Sequence, residues 1–431
     1  MVGEQFAEHM NSIRVASGPL GSVVSIHADE CVSLFNIRRA MVNAPNITLW
    51  TLRRLDDRLA AHFEGLTVAG DQGWRCCERA LETPGSGELF MATVRALTDR
   101  DSERFEKMCV LAEGGTAAHS GVVAALEWSK PGLLQGVASA LLSSDRGIRR
   151  RIGLAACAGH RVNPGQALTT AIVDEDSMLR ARALSAVGEL GERDLMPFCI
   201  RSINDEDGGC RCSASRSAVL LGDRDAAVKA LGDLAAAVGP FAAAAFGLFL
   251  RVNGVGAGHE FLATVRQQPE SERRVILGAG VVGDPKYVPW LIQRMADSKT
   301  ARLAAEAFVN ITGLKISQGF DTARPPAVEM SSSDELAGAS GDLDPDEGLP
   351  WPDVQNIARW WEKERSNFRP GERYFLGQSV TTQHCIEVLK TGYQRHRLAA
   401  AEYLCLRNPG TPLFNTAAPG WRQQRVLAQM T

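Results

Sequence analysis

The hydrophobic pattern of the chain repeats about every 31 residues between positions 145 and 315. Within each period, small and apolar residues recur at positions i, i+3, i+4 and i+7, which is typical of a helix buried on one face. A glycine ends most of these stretches, as in RARALSAVGELG at 180–191, because glycine readily adopts the left-handed conformation that terminates a helix. These glycines are Gly159, Gly191, Gly222, Gly254, Gly283 and Gly313.

A short polar turn and a second apolar stretch follow most of these glycines, so each period predicts one helical hairpin. The second stretches lie at 195–203, 226–237, 260–267 and 287–296. One hairpin cannot bury its apolar face alone, and neighbouring hairpins therefore stack and share a continuous core. The pattern predicts an all-α fold, an α-solenoid of helical hairpins that is continuous over residues 102–315.

Two sets of basic residues are predicted to have different roles in this solenoid. One position of the first helices is predicted to be a recurring arginine that supports the stacking of repeats. The residues assigned to it are Arg150, Arg182 and Arg274. The second helices are expected to form the inner layer and to line a groove for a partner. The basic residues that recur on them about once per repeat are interpreted as a ladder for an acidic protein surface, and they are Arg201, Lys229, Arg266 and Arg294.

The repeat and several motifs resemble known families. A period near 31 with Arg–Ala-rich first helices and a terminal LG(D/E) resembles the short HEAT-like repeat first described in phycocyanobilin lyases. Four stretches are similar to an uncharacterised family of proteobacterial HEAT-repeat proteins, some of them encoded near type VI secretion genes. They are RRAMVNAPNITL at 38–49, LRRLDDRLAAHFEGLTVAG at 52–70, AAEAFVNITGL at 304–314 and RPGERYFLGQSV at 369–380. The resemblance implies HEAT-like hairpins, no assigned catalytic activity, and an effector, toxin or secretion component as partner.

Four regions are predicted along the chain. An N-terminal helical region spans 1–100, the HEAT-like solenoid 101–315, an acidic flexible loop 316–351 and a C-terminal helical cap 352–431. In the first region, Thr48 is expected to cap a helix whose buried side includes Leu52, Leu55, Leu59 and Phe63. The acidic loop is expected to be exposed and mobile, because its last part carries many carboxylates and no Lys or Arg.

Composition and charge narrow the class of protein. A hydrophobic content of 45% is ordinary for a globular protein, and a net charge of −3 provides no overall field that would attract nucleic acid or an anionic membrane. The most apolar stretch, at 239–254, is shorter than the roughly 20 residues of a spanning helix. We read no secretory signal, so the ten cysteines are expected to be free, buried thiols in a reducing cytoplasm.

The motifs that hold metals in other proteins are incomplete here. Asp342, Asp344 and Asp346 match positions 1, 3 and 5 of a calcium loop, but the glycine required at position 6 is missing. Cys210 and Cys212 supply two of the four ligands that a structural zinc site needs. We therefore predict no metal and no cofactor.

Since the chain shows no assembled nucleophile, base and oxyanion donor, we predict a non-enzymatic protein-binding scaffold, adaptor or immunity-type protein. Trp360 and Trp361 are candidate partner-binding residues, and the alternative role is packing of their helix onto the last repeat. Two alternative functions stay open, an enzyme-associated protein of the lyase type and a nucleic-acid-binding solenoid with a locally basic groove. The sequence does not indicate the oligomeric state.

Overall fold

The computed structural model of the protein describes residues 20–317, 319–322, 344 and 346–430. Within them the chain forms 22 α-helices, and the four strands are only two residues long each, which confirms the predicted all-α class. No helix in this part of the chain is long and apolar enough to cross a membrane.

The chain divides into two compact units, residues 1–40 with 53–139, and residues 41–52 with 140–431. The division falls inside the segment that the sequence assigned to one solenoid, and the predicted domain boundaries stay predictions. Up to residue 139 the helices are α1 (Gly21–Met41), α2 (Leu49–Val68), α3 (Asp71–Ala80), α4 (Ser86–Asp99), α5 (Ser102–Ala112), α6 (Thr116–Trp128) and the 3₁₀ turn Pro131–Leu133.

The first unit has an aromatic core around one buried carboxylate. The rings of Phe35 and Phe90 stack with centroids 4.1 Å apart, and Phe63 and Trp128 pack against Phe90. Asp56 is fully buried and accepts a hydrogen bond of 2.6 Å from Arg38 Nε. The predicted cap is confirmed as well, since Thr51 N donates to Thr48 Oγ1 and the four apolar residues of that helix are buried.

Between residues 137 and 312 the helices alternate as the repeat predicts. The first helices of the hairpins are α8 (Gly147–Gly159), α10 (Ser177–Leu190), α12 (Gly208–Leu221), α14 (Ala242–Val252), α16 (Glu272–Val282) and α18 (Ala301–Thr312). The second helices are α9 (Gln166–Ala171), α11 (Met196–Ser202), α13 (Ala226–Ala236), α15 (Val255–Val265) and α17 (Val288–Arg294), and α7 (Val137–Leu142) precedes them. The 3₁₀ turns Arg193–Leu195 and Pro285–Tyr287 introduce α11 and α17.

Consecutive first helices pack on one another, and each second helix packs on the first helix that follows it. Apolar side chains from both kinds of helix form one core, for example Leu184 of a first helix with Leu231 and Leu262 of second helices. All ten cysteines are free and buried, as predicted. The shared core explains why the apolar spacing recurs at every repeat.

Four of the predicted glycines end first helices in the left-handed conformation. Their φ angles are 77° at Gly191, 115° at Gly222, 74° at Gly283 and 72° at Gly313. Glycine adopts these angles without the steric cost that a side chain would add. The sequence therefore located these four helix ends correctly.

Gly159 also lies at a helix end, as predicted, since it is the last residue of α8. The left-handed position there is occupied by Arg161, two residues later, with φ of 57°. Gly254 was placed wrongly, because α14 already ends at Val252 and Gly254, with φ of −65°, precedes the start of the next helix. The left-handed residues Arg161, Gly191 and Gly222 are 30 and 31 positions apart, and Gly283 and Gly313 are 30 positions apart.

The predicted phase of the repeat arginines is also wrong for Arg150. Counted back from the left-handed residues, Arg150 corresponds to Arg180 and Arg211, and not to Arg182. Arg180 donates two hydrogen bonds of 2.9 and 3.0 Å to the carboxylate of Asp205, in the loop before the next first helix. Arg180 and Arg211 each also donate to the backbone carbonyls five and six residues earlier. This arginine thus fixes the loops between repeats.

After the repeats come β1 (Asp321–Thr322), β2 (Trp351–Pro352), α19 (Val354–Glu364), the 3₁₀ turn Arg365–Asn367, β3 (Tyr374–Phe375), β4 (Gln378–Ser379), α20 (Thr382–Thr391), α21 (Gln394–Arg407) and α22 (Gly420–Leu427). β1 pairs antiparallel with β2, and β3 with β4. We call residues 369–430 the C-terminal segment.

The C-terminal segment follows the carboxyl ends of the first helices. Its main chain bonds the ends of three of them, because Tyr374 N donates to Gly283 O, Leu376 N to Asn310 O and Leu413 N to Glu189 O. Asn415 Nδ2 donates to Gly159 O at the end of α8, 256 residues away in sequence. The expected terminal cap of the array is instead a segment that runs along the whole row of first helices.

This arrangement reverses the predicted layers. The first helices lie between the second helices on one side and α21 on the other, since α21 packs against α12 and α14. The second helices were expected to form the inner layer, yet the first helices are the inner ones. The apolar pattern of the sequence could not predict the order of the layers, because first and second helices both bury one apolar face in the same core.

Most of the predicted acidic loop, residues 323–343, lies outside the described residues. At its end the prediction of a solvated loop is wrong for Asp346, which is 4% exposed and accepts two hydrogen bonds, of 2.7 and 2.9 Å, from Arg273. Asp344 accepts a hydrogen bond from Arg302 and is exposed. Both carboxylates thus bind arginines of the repeats.

Candidate functional site

The basic residues chosen from the sequence lie on or directly after the second helices. Arg201, Lys229 and Arg266 are exposed, and Arg201 lies over the ring of Phe198, with its guanidinium carbon 4.4 Å from the ring centroid. Arg294 is partly buried, and its Nη1 donates a hydrogen bond of 3.0 Å to Glu272. The first three are available to a partner, whereas Arg294 already has a carboxylate.

The two tryptophans of α19 contact neighbouring aromatic residues, with Trp361 buried and Trp360 partly buried. Trp361 is 7% exposed and its ring lies 5.5 Å from that of Phe368. Trp360 packs edge-on against Phe308 of the last first helix, at 5.9 Å. Their geometry matches the alternative role named from the sequence, packing of α19 onto the last repeat.

The incomplete metal motifs stay incomplete among the residues that the structure describes. No group of three or more His, Cys, Asp or Glu side chains there is placed to hold a metal ion. Cys210 is buried, its thiol donates to Ser177 O at 3.2 Å, and burial raises its pKa to about 12. A thiol in that state is a core residue with little thiolate character.

A cavity of about 280 Å³ lies where the C-terminal segment faces the first helices α14, α16 and α18. We call it the central cavity. Its charged lining comes from all of these elements, and the residues are Arg251, Arg273, Glu306, Asp346 and Arg395. Its apolar lining consists of Leu277, Val281, Leu303, Phe375 and Ala399. Uncharged polar groups are added by Asn310, His396 and Tyr403.

Buried ion pairs hold the walls of the central cavity together. Arg395 Nη1 lies 2.9 and 3.1 Å from the two carboxylate oxygens of Glu306, which joins α21 to α18. The carboxylate of Glu402 is 4% exposed and joins Arg216 and Arg251, at 3.1 and 2.6 Å, which links α21 to α12 and α14. Each pair therefore connects the C-terminal segment to a different first helix.

Burial changes the protonation of several of these groups. The pKa of Glu306 is raised by burial, although the guanidinium of Arg395 opposes this shift. The pKa of His396 is lowered to about 4, mainly by burial and also by Arg395, so the imidazole is neutral at pH 7. Burial raises the pKa of Tyr403, so its hydroxyl stays protonated.

Several polar groups of the central cavity have no protein partner in the described part of the chain. Neither the Tyr403 hydroxyl, the Asn310 side-chain amide nor the His396 ring makes a hydrogen bond there, and Arg251 uses only Nη1. Tyr403 is 5% exposed and His396 is 8% exposed. These polar atoms border the open space of the cavity, where water or a small ligand reaches them, and the cavity is therefore a candidate binding site.

Sequence analysis missed the central cavity because its residues are spread from Arg251 to Tyr403 and share no local motif. One signal was present. Glu306 and Glu402 are single carboxylates inside the apolar runs ARLAAEAFV and LAAAEYLCL, where a buried charge requires a partner. That signal indicates a buried ion pair at each site, but it does not identify the arginine.

Comparison with known proteins gives no match, neither to a family model nor to a protein of curated function.

Proposed function

We propose that the protein is a non-enzymatic protein-binding scaffold that presents the outer face of its second helices to an acidic partner. The observation that supports this most directly is the placement of the C-terminal segment, which covers the first helices opposite to the second ones. The second helices are left as the accessible face of the repeats. Helical repeats commonly use such extended faces to bind proteins.

The charge on this face favours an acidic partner. The exposed side chains Arg201, Lys229 and Arg266 recur along three successive second helices, and Asp233 and Glu260 are the exposed acids of the last two. Complementary charge of this kind raises association rates and selects partners more than it adds raw affinity. If the resemblance to the proteobacterial HEAT-repeat family extends to function, the partner is a secretion effector, toxin or apparatus component.

The test is a comparative affinity purification from the native host. The wild-type chain is compared with the triple variant Arg201→Glu/Lys229→Glu/Arg266→Glu, and bound proteins are quantified by mass spectrometry. We expect a partner that the triple variant binds about 10-fold or more weakly, which corresponds to loss of about 1–3 kcal/mol.

A matched control carries three charge reversals elsewhere, Lys107→Glu/Arg365→Glu/Arg369→Glu, which also remove exposed basic side chains. The control should retain the partner. If both variants lose the same proteins to the same extent, binding depends on overall charge and the proposed face is wrong.

A further inference from the structure

We propose that the central cavity binds a small organic anion, with its carboxylate or phosphate group held by Arg251 and Tyr403 and its apolar part against Leu303 and Phe375. This site is separate from the outer face of the second helices. The charge of the cavity, its donors without a partner among the described residues and its size support such a ligand.

The charges around the cavity leave a positive excess. Four arginines lie in or beside its wall, namely Arg216, Arg251, Arg273 and Arg395. Three carboxylates face them, those of Glu306, Asp346 and Glu402. One positive charge therefore remains among these groups.

The carboxylates of the cavity already accept hydrogen bonds from arginines, whereas some of its hydrogen-bond donors have no acceptor among the described residues. Asp346 and Glu306 each use both oxygens on one arginine. Arg251, by contrast, donates only Nη1 to Glu402, so Nε and Nη2 make no hydrogen bond to any described residue. Tyr403 also lines the cavity: its ring centroid lies 6.0 Å from the Arg251 guanidinium carbon, and its hydroxyl makes no hydrogen bond to a described residue. Guanidinium and hydroxyl donors in one cavity suit a carboxylate or phosphate oxygen.

The size and the apolar lining of the cavity restrict the ligand. Ligand pockets typically measure roughly 300–1,000 Å³, and about 280 Å³ lies just below that range, which restricts the cavity to small ligands. Leu277, Val281, Leu303 and Phe375 offer an apolar surface for a ring or a short chain. A single-ring acid fits this combination, whereas a polymer such as a nucleic acid does not.

The experiment uses four probes of similar size on the full chain, at low ionic strength, by isothermal titration calorimetry. Benzoate and phenyl phosphate are the anions, and phenol and benzylamine are the neutral and cationic controls. We expect the anions to bind at least about 10-fold more tightly than phenol or benzylamine. The ratio of the affinities for benzoate and phenyl phosphate shows which acid group the site prefers.

Two variants locate the binding. Tyr403→Phe removes only the hydroxyl and should weaken anion binding about 5- to 10-fold, and Ala399→Leu fills the cavity and should abolish it. Tyr393→Phe is the matched control, since Tyr393 is 45% exposed and does not line the cavity. Melting temperatures of all variants establish that they are folded, and Tyr403→Phe keeps the test valid if Ala399→Leu does not fold.

Three results would overturn the proposal. The first is no binding of either anion at concentrations up to about 10 mM, beyond the range of weak specific binding. The second is equal binding of phenol or benzylamine. The third is anion binding that is unchanged in Tyr403→Phe, which would place the ligand elsewhere. None of these results affects the proposed protein-binding face, whose variants lie outside the cavity.

Discussion

The first helices are held on their two sides in different ways. Towards the second helices they bury apolar side chains in a core that recurs at each repeat. Towards the C-terminal segment they add polar contacts, such as Arg373, which donates four hydrogen bonds to carbonyls at the ends of α14 and α16. The apolar side is periodic in sequence, and the polar side is not.

The comparison teaches which contacts a repeat pattern can reveal. Periodic burial requires the same residue type at the same place in each repeat, so it is visible in one sequence. The contacts of the C-terminal segment join residues such as Arg161 and Leu413, which are 252 positions apart, through a backbone carbonyl that any residue provides. Because every residue has a backbone carbonyl, the type of the acceptor residue does not indicate that the contact exists.

The largest effect is expected when the buried carboxylate between the two regions is removed. Glu402→Gln leaves Arg216 and Arg251 without their shared partner in a buried site, which should lower the free energy of unfolding by about 3–5 kcal/mol. Urea denaturation measures the change. Glu272→Gln is the control, because Glu272 is exposed in its pair with Arg294 and the pair should contribute less than about 1 kcal/mol. Equal losses would mean that burial of the Glu402 pair does not matter.

The second prediction concerns pH and His396. Burial and the charge of Arg395 lower the pKa of this histidine to about 4 in the folded protein, while an unfolded histidine has a pKa of about 6.5. As pH falls from about 6.5 to about 4, the unfolded chain binds a proton that the folded one does not, and stability decreases by about 3 kcal/mol. Above pH 6.5 the residue makes no such contribution.

His396→Asn tests this assignment. Unfolding free energies of the variant and the wild type, measured between pH 4 and pH 8, should differ in slope only below about pH 6.5. Carboxylates also titrate at the acid end, but they are common to both proteins and cancel in the difference. A variant with the same slope as the wild type would show that another group causes the pH dependence.

The third prediction separates two reasons for a glycine at a given position, a positive φ angle and the close approach of another backbone. At Gly283 (φ 74°) an added Cβ would lie 2.3 Å from Tyr374 O in the C-terminal segment, whereas at Gly136 (φ 83°) no atom lies within 4 Å. Gly136→Ala should cost about 1 kcal/mol, from the positive φ alone. Gly283→Ala should cost about 2–3 kcal/mol, because the backbone of the segment must also move. Similar losses in urea denaturation would argue against the close contact.

The sequence predicted the all-α class, five helix ends and the buried free thiols, because each depends on a local or periodic pattern. It did not predict the layer order or the path of the C-terminal segment, since these depend on polar contacts between distant residues. The repeat arginine was misassigned because Arg180 and Arg182 lie two residues apart, and only the bond to Asp205 shows which one fixes the loop. The central cavity has no local motif, and only its buried carboxylates were visible.

The smallest effects are expected on the exposed face of the second helices, where the sequence located candidate binding residues. Arg201→Glu should change the free energy of unfolding by no more than about 0.5 kcal/mol, because the side chain is exposed and its contact with Phe198 is at the surface. Arg180→Glu, a matched reversal on a first helix, should cost about 2–3 kcal/mol. That variant loses two hydrogen bonds to Asp205 and places two carboxylates together in a partly buried loop. Chemical denaturation of the two variants compares the layers directly. A large loss for Arg201→Glu with none for Arg180→Glu would mean that the outer side chains, and not the loop arginines, support the stacking of repeats.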